Sequence, residues 1–93
     1  MNKRLFTICI PKINRDIKKK MIFSIFKKYN FGKIKRVDLI KMKNNTQRAF
    51  IHYLSWNDDE KSVQVKKWLL EGKDIKIIYS QPWFWKCSIT KNY

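Results

Sequence analysis

The hexapeptide Arg48–Tyr53 constrains the fold more than any other part of the chain. Its side chains alternate between residues suited to a core and residues that are basic or aromatic. On a β-strand, successive side chains point to opposite faces of the sheet. Ala49, Ile51 and Tyr53 are suited to a hydrophobic core, and the other face places a flat aromatic ring between a guanidinium and an imidazole. A strand face of this second kind is suited to stacking on bases and holding phosphates. Its residues are Arg48, Phe50 and His52.

The charge of the chain is large and unevenly distributed. Its 93 residues carry a formal net charge of +15. Residues 1–56 contain 15 of the 22 basic side chains, but only Asp16 and Asp38 among the acidic ones. Such an asymmetric charge attracts polyanions and speeds encounter with them. Nucleic acid is the commonest polyanion, although an anionic membrane or an acidic protein fits the charge equally well.

Length and composition predict a single domain, residues 1–93, in an intracellular setting. The chain has no room for a second core, and its 44% hydrophobic residues are enough for one. The apolar stretch Met21–Phe26 is too short to span a membrane, and Pro11 ends the N-terminal apolar run without a signal-peptide cleavage site. Cys9 and Cys87 do not make a disulfide framework, which favours a reducing compartment.

The residue types that catalysis needs do not occur together in this sequence. The chain has two glycines, too few for a glycine-rich phosphate loop, and a single histidine, His52. No paired carboxylates and no Ser/His/Asp or Cys/His arrangement can be recognised. We therefore expect a protein that is not an enzyme and that has no catalytic residues, no cofactor and no metal site.

Hydrophobic periodicity predicts five strands and two helices. The first helix begins after Asn14 or Asp16 and closes at Gly32, and the second begins with a capping box of Asn57 and Glu60 and runs to Leu70. This order predicts an α+β, ferredoxin-like β-α-β-β-α-β sandwich, with a four-stranded antiparallel sheet and both helices on one face. A short extra strand forms a hairpin with the last one. The predicted strands are Arg4–Ile10, Ile34–Met42, Thr46–Ser55, Ile75–Tyr79 and Trp83–Thr90.

The chain resembles an RNA recognition motif domain along nearly its whole length. Thr46–Tyr53 is similar to the third-strand motif of that family, and its last five positions match well. The resemblance places Phe50 on the second base-stacking site and Arg48 in place of the aromatic residue on the first. Leu5–Pro11 is similar to the first-strand motif of the family, and Phe26–Ile34 to the end of its first helix. The overall style also resembles short domains of this type that large DNA viruses encode.

Phe6 is the residue on which the resemblance and the periodicity disagree. The family register would make Phe6 a second stacking residue. Alternation instead groups Phe6 with Ile8 and Ile10 on the more apolar face, which would prefer the core. Both interpretations stay open at the level of sequence.

The other candidate residues also have two interpretations each. Phe50 is either a base-stacking ring or merely an exposed β-former, and the predicted topology favours stacking. Arg48 either contacts a phosphate or a base, or is an ordinary solvated strand residue. His52 is either a base-edge contact or a plain surface residue, and the plain interpretation is favoured. Trp83 and Trp85 are assigned to the core. Cys9 and Cys87, on the neighbouring first and last strands, are expected to be buried thiols rather than a redox switch or ligands.

Lysines and one further aromatic ring complete the predicted interface. Alternation places Phe84 on the same face as Phe50, where Phe84 or the tail through Tyr93 would extend or block a stacking surface. The remaining predicted phosphate contacts lie on the last two strands and in the loop 41–45. These lysines are Lys76, Lys86, Lys41 and Lys43.

Three functional hypotheses follow from these observations. The leading one is a non-catalytic module that binds single-stranded RNA, or less favourably DNA, on the sheet face. The alternative is a protein-interaction or structural module of a viral particle or ribonucleoprotein assembly, with a protein partner on that face. It is favoured by the lysines of the first helix, which would lie behind the sheet. A third, peripheral membrane binding through that helix, conflicts with the core's need for its apolar residues, and no membrane partner is expected.

Overall fold

The computed structural model describes residues 6–90, which form seven elements in the order that the sequence predicts. The predicted start of the first strand at Arg4 and the tail through Tyr93 lie outside the described residues. The strands are β1 (Phe6–Asn14), β2 (Gly32–Lys41), β3 (Thr46–Trp56), β4 (Ile75–Ser80) and β5 (Trp83–Ile89). The helices are α1 (Lys19–Tyr29) and α2 (Glu60–Leu70).

The strands form one antiparallel sheet of five, in the order β2-β3-β1-β5-β4. The predicted four-stranded ferredoxin-like sheet is therefore wrong. The segment expected to be a short accessory strand, β4, is a full edge strand that pairs with β5 from Ile75 opposite Cys87 to Ser80 opposite Trp83. It belongs to the sheet because Ile75 and Ile77 are buried in the core, which stabilises the whole length of the hairpin.

Both helices pack on the same face of the sheet. In α1, Ile22 and Phe26 lie one turn apart and are fully buried, and in α2 the same spacing buries Val65 and Leu69. These four side chains belong to the cluster that contains the inward residues of the strands. The inward strand residues include Ile8, Ile10, Ala49, Ile51, Tyr53, Ile77, Trp85 and Cys87.

The end of the first strand and the start of the second helix differ from the sequence prediction for identifiable reasons. The first strand does not stop at Pro11 but continues to Asn14, because a bulge between Ile10 and Ile13 removes Pro11 from the regular ladder. The second helix is capped by Asp59 rather than Asn57, since the Asp59 carboxylate accepts a hydrogen bond from the Ser62 backbone N–H at 3.2 Å.

Gly32 does not close the first helix as predicted. That helix ends at Tyr29 and is capped by Asn30, which adopts a left-handed conformation with φ of 57°. Gly32 is instead the first residue of β2, where it lies opposite Trp56 and approaches the Ser55 backbone closely. A side chain has no room there, so this glycine fixes the way β2 meets β3.

Candidate functional site

The sheet face opposite the helices carries most of the predicted site residues, and we call it the outer face. Strand register defines its membership, because residues paired across neighbouring strands point the same way. The pairs Asp38–Phe50, Phe50–Cys9 and Cys9–Ser88 form one continuous row across β2, β3, β1 and β5. The outer face consists of this row, its same-side neighbours Thr7, Arg36, Ile40, Arg48, His52 and Lys86, and the β4–β5 residues Lys76, Ile78 and Phe84.

Three cations form a second row beside the first. Arg48 and Lys86 each lie two residues before a member of the Phe50 row, and β3 and β5 run in the same direction, so both fall on the same side of that row. Lys76 is paired directly with Lys86 on the edge strand. The two rows are separated by about 7 Å, the length of two strand residues.

A second aromatic ring lies beyond the cations. Phe84 is two residues before Lys86 and is paired with Ile78, and both side chains are exposed, at 44% and 40%. The Lys76 ammonium nitrogen lies 4.9 Å from the centre of the Phe84 ring. The cation row therefore lies between the half-buried ring of Phe50 and the exposed ring of Phe84.

Lys86 and Arg48 differ in how exposed their side chains are and in their contacts with the rest of the protein. The Lys86 side chain is 67% exposed, and its Nζ lies 3.8 Å from Asp74 Oδ2, a separation that contributes little when solvated. The Arg48 side chain is half-buried, and its Nε is buried with no hydrogen-bond partner among residues 6–90. A buried donor without a partner is costly to the fold, and a ligand does not reach a nitrogen that is closed to solvent.

His52 is buried at the centre of the outer face, so the predicted plain surface position is wrong. Its Nδ1 lies 3.0 Å from Thr7 Oγ1, and its Nε2 lies 2.9 Å from Asp38 Oδ2. Arg36 Nε donates to both oxygens of the same carboxylate at 3.1 Å. An ionised carboxylate only accepts hydrogen bonds, so the proton lies on Nε2 of the histidine. The result is a chain of hydrogen bonds across three strands.

No local pattern in the sequence indicates these hydrogen bonds, and the residue types that form them raise the question of catalysis. Thr, His and Asp in this order also form hydrolytic sites. Here the Thr7 side chain is only 1% exposed and His52 only 4%, so a substrate does not reach the hydroxyl. These hydrogen bonds hold the Asp38 carboxylate in one position. Burial opposes the ionisation of Asp38, but hydrogen bonds from Arg36 and His52 outweigh it and hold the pKa of the carboxyl below its ordinary value.

Phe6 lies on the helix side of the sheet, away from Phe50. Its ring centre is 4.6 Å from that of Trp56, and the Lys66 ammonium of α2 lies 5.7 Å from the Phe6 ring. The structure thus follows the alternation of the sequence at this position and not the register of the family motif. Phe6 is a packing residue in this arrangement.

Lys41 and Lys43 lie at the end of the β2–β3 hairpin and not on the outer face. Lys41 is paired with Gln47, whose side chain donates to the carbonyls of Asn14 and Ile17 on the helix side. Lys41 and Lys43 instead line an open recess together with Arg15, which sequence analysis did not single out. The Arg15 guanidinium donates to the carbonyls of Met42 and Thr46, and this contact holds the hairpin against the turn that follows β1.

Two further predictions about β5 and the cysteines need correction. Trp85 is buried as predicted, but Trp83 is 64% exposed because the pairing shifts between Ile78 and Ser80 and carries it beyond the core. Cys87 is buried as predicted and faces the helices, whereas Cys9 is only partly buried and faces the outer face, so the two free thiols lie on opposite sides of the sheet. Burial raises the pKa of the Cys9 thiol, and the Arg48 cation offsets this only in part.

An apolar groove lies on the helix side, between α2 and the edge strand β4. Its volume is about 460 Å³. Trp68 is 41% exposed and forms part of the wall, and the Lys61 ammonium donates to the Tyr29 carbonyl at its rim. The groove is lined mainly by Tyr29, Phe31, Val65, Trp68, Ile75 and Ile77.

The comparisons with known proteins identify no relative. The chain matches no family model, and searches of curated proteins and of solved structures returned no significant match. Within residues 6–90, no cluster of His, Cys, Asp and Glu could hold a metal ion. In the same part of the chain, neither helix is long and apolar enough to cross a membrane.

Proposed function

We propose that the outer face binds single-stranded nucleic acid, RNA in preference to DNA, without catalysing a reaction. The observation that carries this proposal is the row of Arg48, Lys86 and Lys76 between two aromatic rings. Proteins that bind single strands combine a positive surface along the backbone with rings on which the bases stack. Arg48, which is half-buried, adds a planar guanidinium that suits a phosphate or the face of a base.

The resemblance to RNA recognition motifs is part of this proposal and rests on Ala49–Tyr53. Phe50 is the proposed stacking residue within that segment. Phe6 lies against Trp56, so Phe84 is the second proposed stacking residue in its place. An intracellular setting belongs to the same proposal, since Cys9 and Cys87 are both free thiols.

Replacement of Phe50 by alanine tests the proposal. Fluorescence anisotropy with a labelled single-stranded RNA is expected to show that Phe50→Ala loses about 1–3 kcal/mol of binding free energy, because the base loses its stacking partner. Phe23→Ala is the matched control: Phe23 is 40% exposed but lies on α1, on the other side of the molecule. It should bind like the wild type. Equal affinities of the wild type and Phe50→Ala for both RNA and DNA would refute base stacking on the outer face.

The apolar groove favours a second candidate function, a protein-interaction module. Its volume of about 460 Å³ accommodates a large apolar side chain. Lys61 and Lys76 outnumber Asp74 among the charged residues that line it, so an apolar residue flanked by acidic ones is the partner segment that fits best.

A peptide library displayed on phage and panned against the wild-type protein tests this second candidate. Peptides with an aromatic or aliphatic anchor next to acidic residues should be enriched. Their affinity should fall by about tenfold or more in Trp68→Ala, which removes the groove wall, and should not change in Phe50→Ala. Enrichment without any such pattern, or peptides insensitive to Trp68→Ala, would count against this candidate.

A further inference from the structure

We propose that Asp38 makes the outer face selective for bases that carry an exocyclic amino group, so that cytosine binds more tightly than uracil. This inference rests on the proposed nucleic-acid binding and goes beyond it, since the cation row and the rings alone are indifferent to base identity. The feature that carries it is a fixed carboxylate beside the ring of Phe50.

Register places Asp38 directly beside the proposed stacking residue. Asp38 and Phe50 are paired across β2 and β3, and such pairs hold their Cβ atoms about 4.5–5.5 Å apart. The Asp38 side chain is 36% exposed, so its carboxylate reaches the surface. A base that stacks on the Phe50 ring would therefore have one of its edges close to this carboxylate.

The carboxylate is held in one orientation and keeps acceptor capacity. Oδ2 accepts from His52 Nε2 at 2.9 Å, and Arg36 Nε lies 3.1 Å from both oxygens. His52 is itself fixed by Thr7. Each carboxylate oxygen has about two acceptor sites, so Oδ1 keeps one for a ligand. Because the pKa of Asp38 is lowered, the carboxyl group is ionised at neutral pH. It therefore accepts hydrogen bonds and donates none.

An acceptor in this place distinguishes the two pyrimidines. Cytosine presents an amino group at position 4, which donates to a carboxylate, whereas uracil presents a carbonyl oxygen at the same position, which repels it. Adenine and guanine also carry amino groups. The two pyrimidines have rings of the same size and the same backbone, so stacking and phosphate contacts change little between them.

The test is anisotropy with labelled octanucleotides of cytidine and of uridine at neutral pH. The wild type should bind the cytidine strand about tenfold more tightly, the effect of one hydrogen bond to a charged group. In Asp38→Asn the ratio should fall to about one, because the amide accepts from cytosine and donates to uracil equally. Asp74→Asn also removes a negative charge, at the other edge of the sheet, and should keep the tenfold ratio.

A measurement on the wild type alone tests the proposal even if the Asp38→Asn variant does not fold. A strand of N4,N4-dimethylcytidine lacks both amino hydrogens and should bind no better than the uridine strand. Equal wild-type affinity for cytidine and uridine, with Phe50→Ala still weaker, would overturn the selectivity and leave the proposed function intact. A tenfold ratio that survives in folded Asp38→Asn would also overturn it. No binding of either strand by the wild type would overturn both proposals.

Discussion

Gly32→Ala is expected to lower the free energy of unfolding by about 3 kcal/mol, the upper end of the usual cost of overpacking. An added Cβ would collide with the carbonyl oxygen of Ser55 and lie 2.9 Å from both the Ser55 carbonyl carbon and the Trp56 Cα. These are backbone atoms of β3, so no side-chain rotation relieves the contact. Chemical denaturation monitored by tryptophan fluorescence would measure the loss as a lower midpoint at unchanged slope.

Gly72→Ala provides the control for that measurement. Gly72 has a φ of 84° at the end of α2, and nothing lies within 4 Å of a Cβ placed there. Its replacement therefore costs only the strain of a left-handed alanine, about 1 kcal/mol. If Gly32→Ala were no more costly than Gly72→Ala, the start of β2 would have to separate from β3 easily. The pairing of Asp38 with Phe50 would then be less secure than the register indicates.

Local patterns in the sequence were sufficient to predict the faces of most strand residues, with Trp83 as an exception. Alternation in Arg48–Tyr53 separates core from outer face correctly. For Phe6, alternation and the family register indicated opposite sides of the sheet, and the structure agrees with alternation. Each of these predictions depends on residues within one element, where the backbone geometry alone fixes the direction of a side chain.

The failed predictions depend on how distant segments meet. The β4 segment looked accessory because it is short, and only its pairing with β5 over the core makes it the fifth strand. The hydrogen-bonded chain of Thr7, His52 and Asp38 needs the registers of β1, β2 and β3 together, and no local spacing encodes it. Gly32 could be mistaken for a helix terminator because the sequence does not show the Ser55 backbone beside it.

Charge location is the remaining question for the proposed function, because most lysines of α1 lie on the far side of the sheet. Two variants that each lose three positive charges separate the possibilities. One neutralises the cation row, as Arg48→Gln/Lys76→Gln/Lys86→Gln. The other neutralises exposed side chains of α1, as Lys19→Gln/Lys20→Gln/Lys27→Gln.

The cation-row variant should bind single-stranded RNA about 100-fold more weakly at about 0.1 M salt, and its slope of log affinity against log salt should fall by about 2. Both effects arise because each phosphate contact releases counterions. The α1 variant should keep the slope and lose affinity only about threefold, since charges more than a Debye length from the strand are screened. Titrations between about 50 and 200 mM salt would measure both quantities.

Equal losses in the two variants would mean that the RNA senses the overall charge of the molecule and not the row on the outer face. Phe50 would then lie on a surface without aligned phosphate contacts, and the groove between α2 and β4 would become the better candidate for a specific partner. A loss confined to the cation-row variant would instead show that the sheet register determines binding. Only register brings Arg48, Lys86 and Lys76 together from three separate strands.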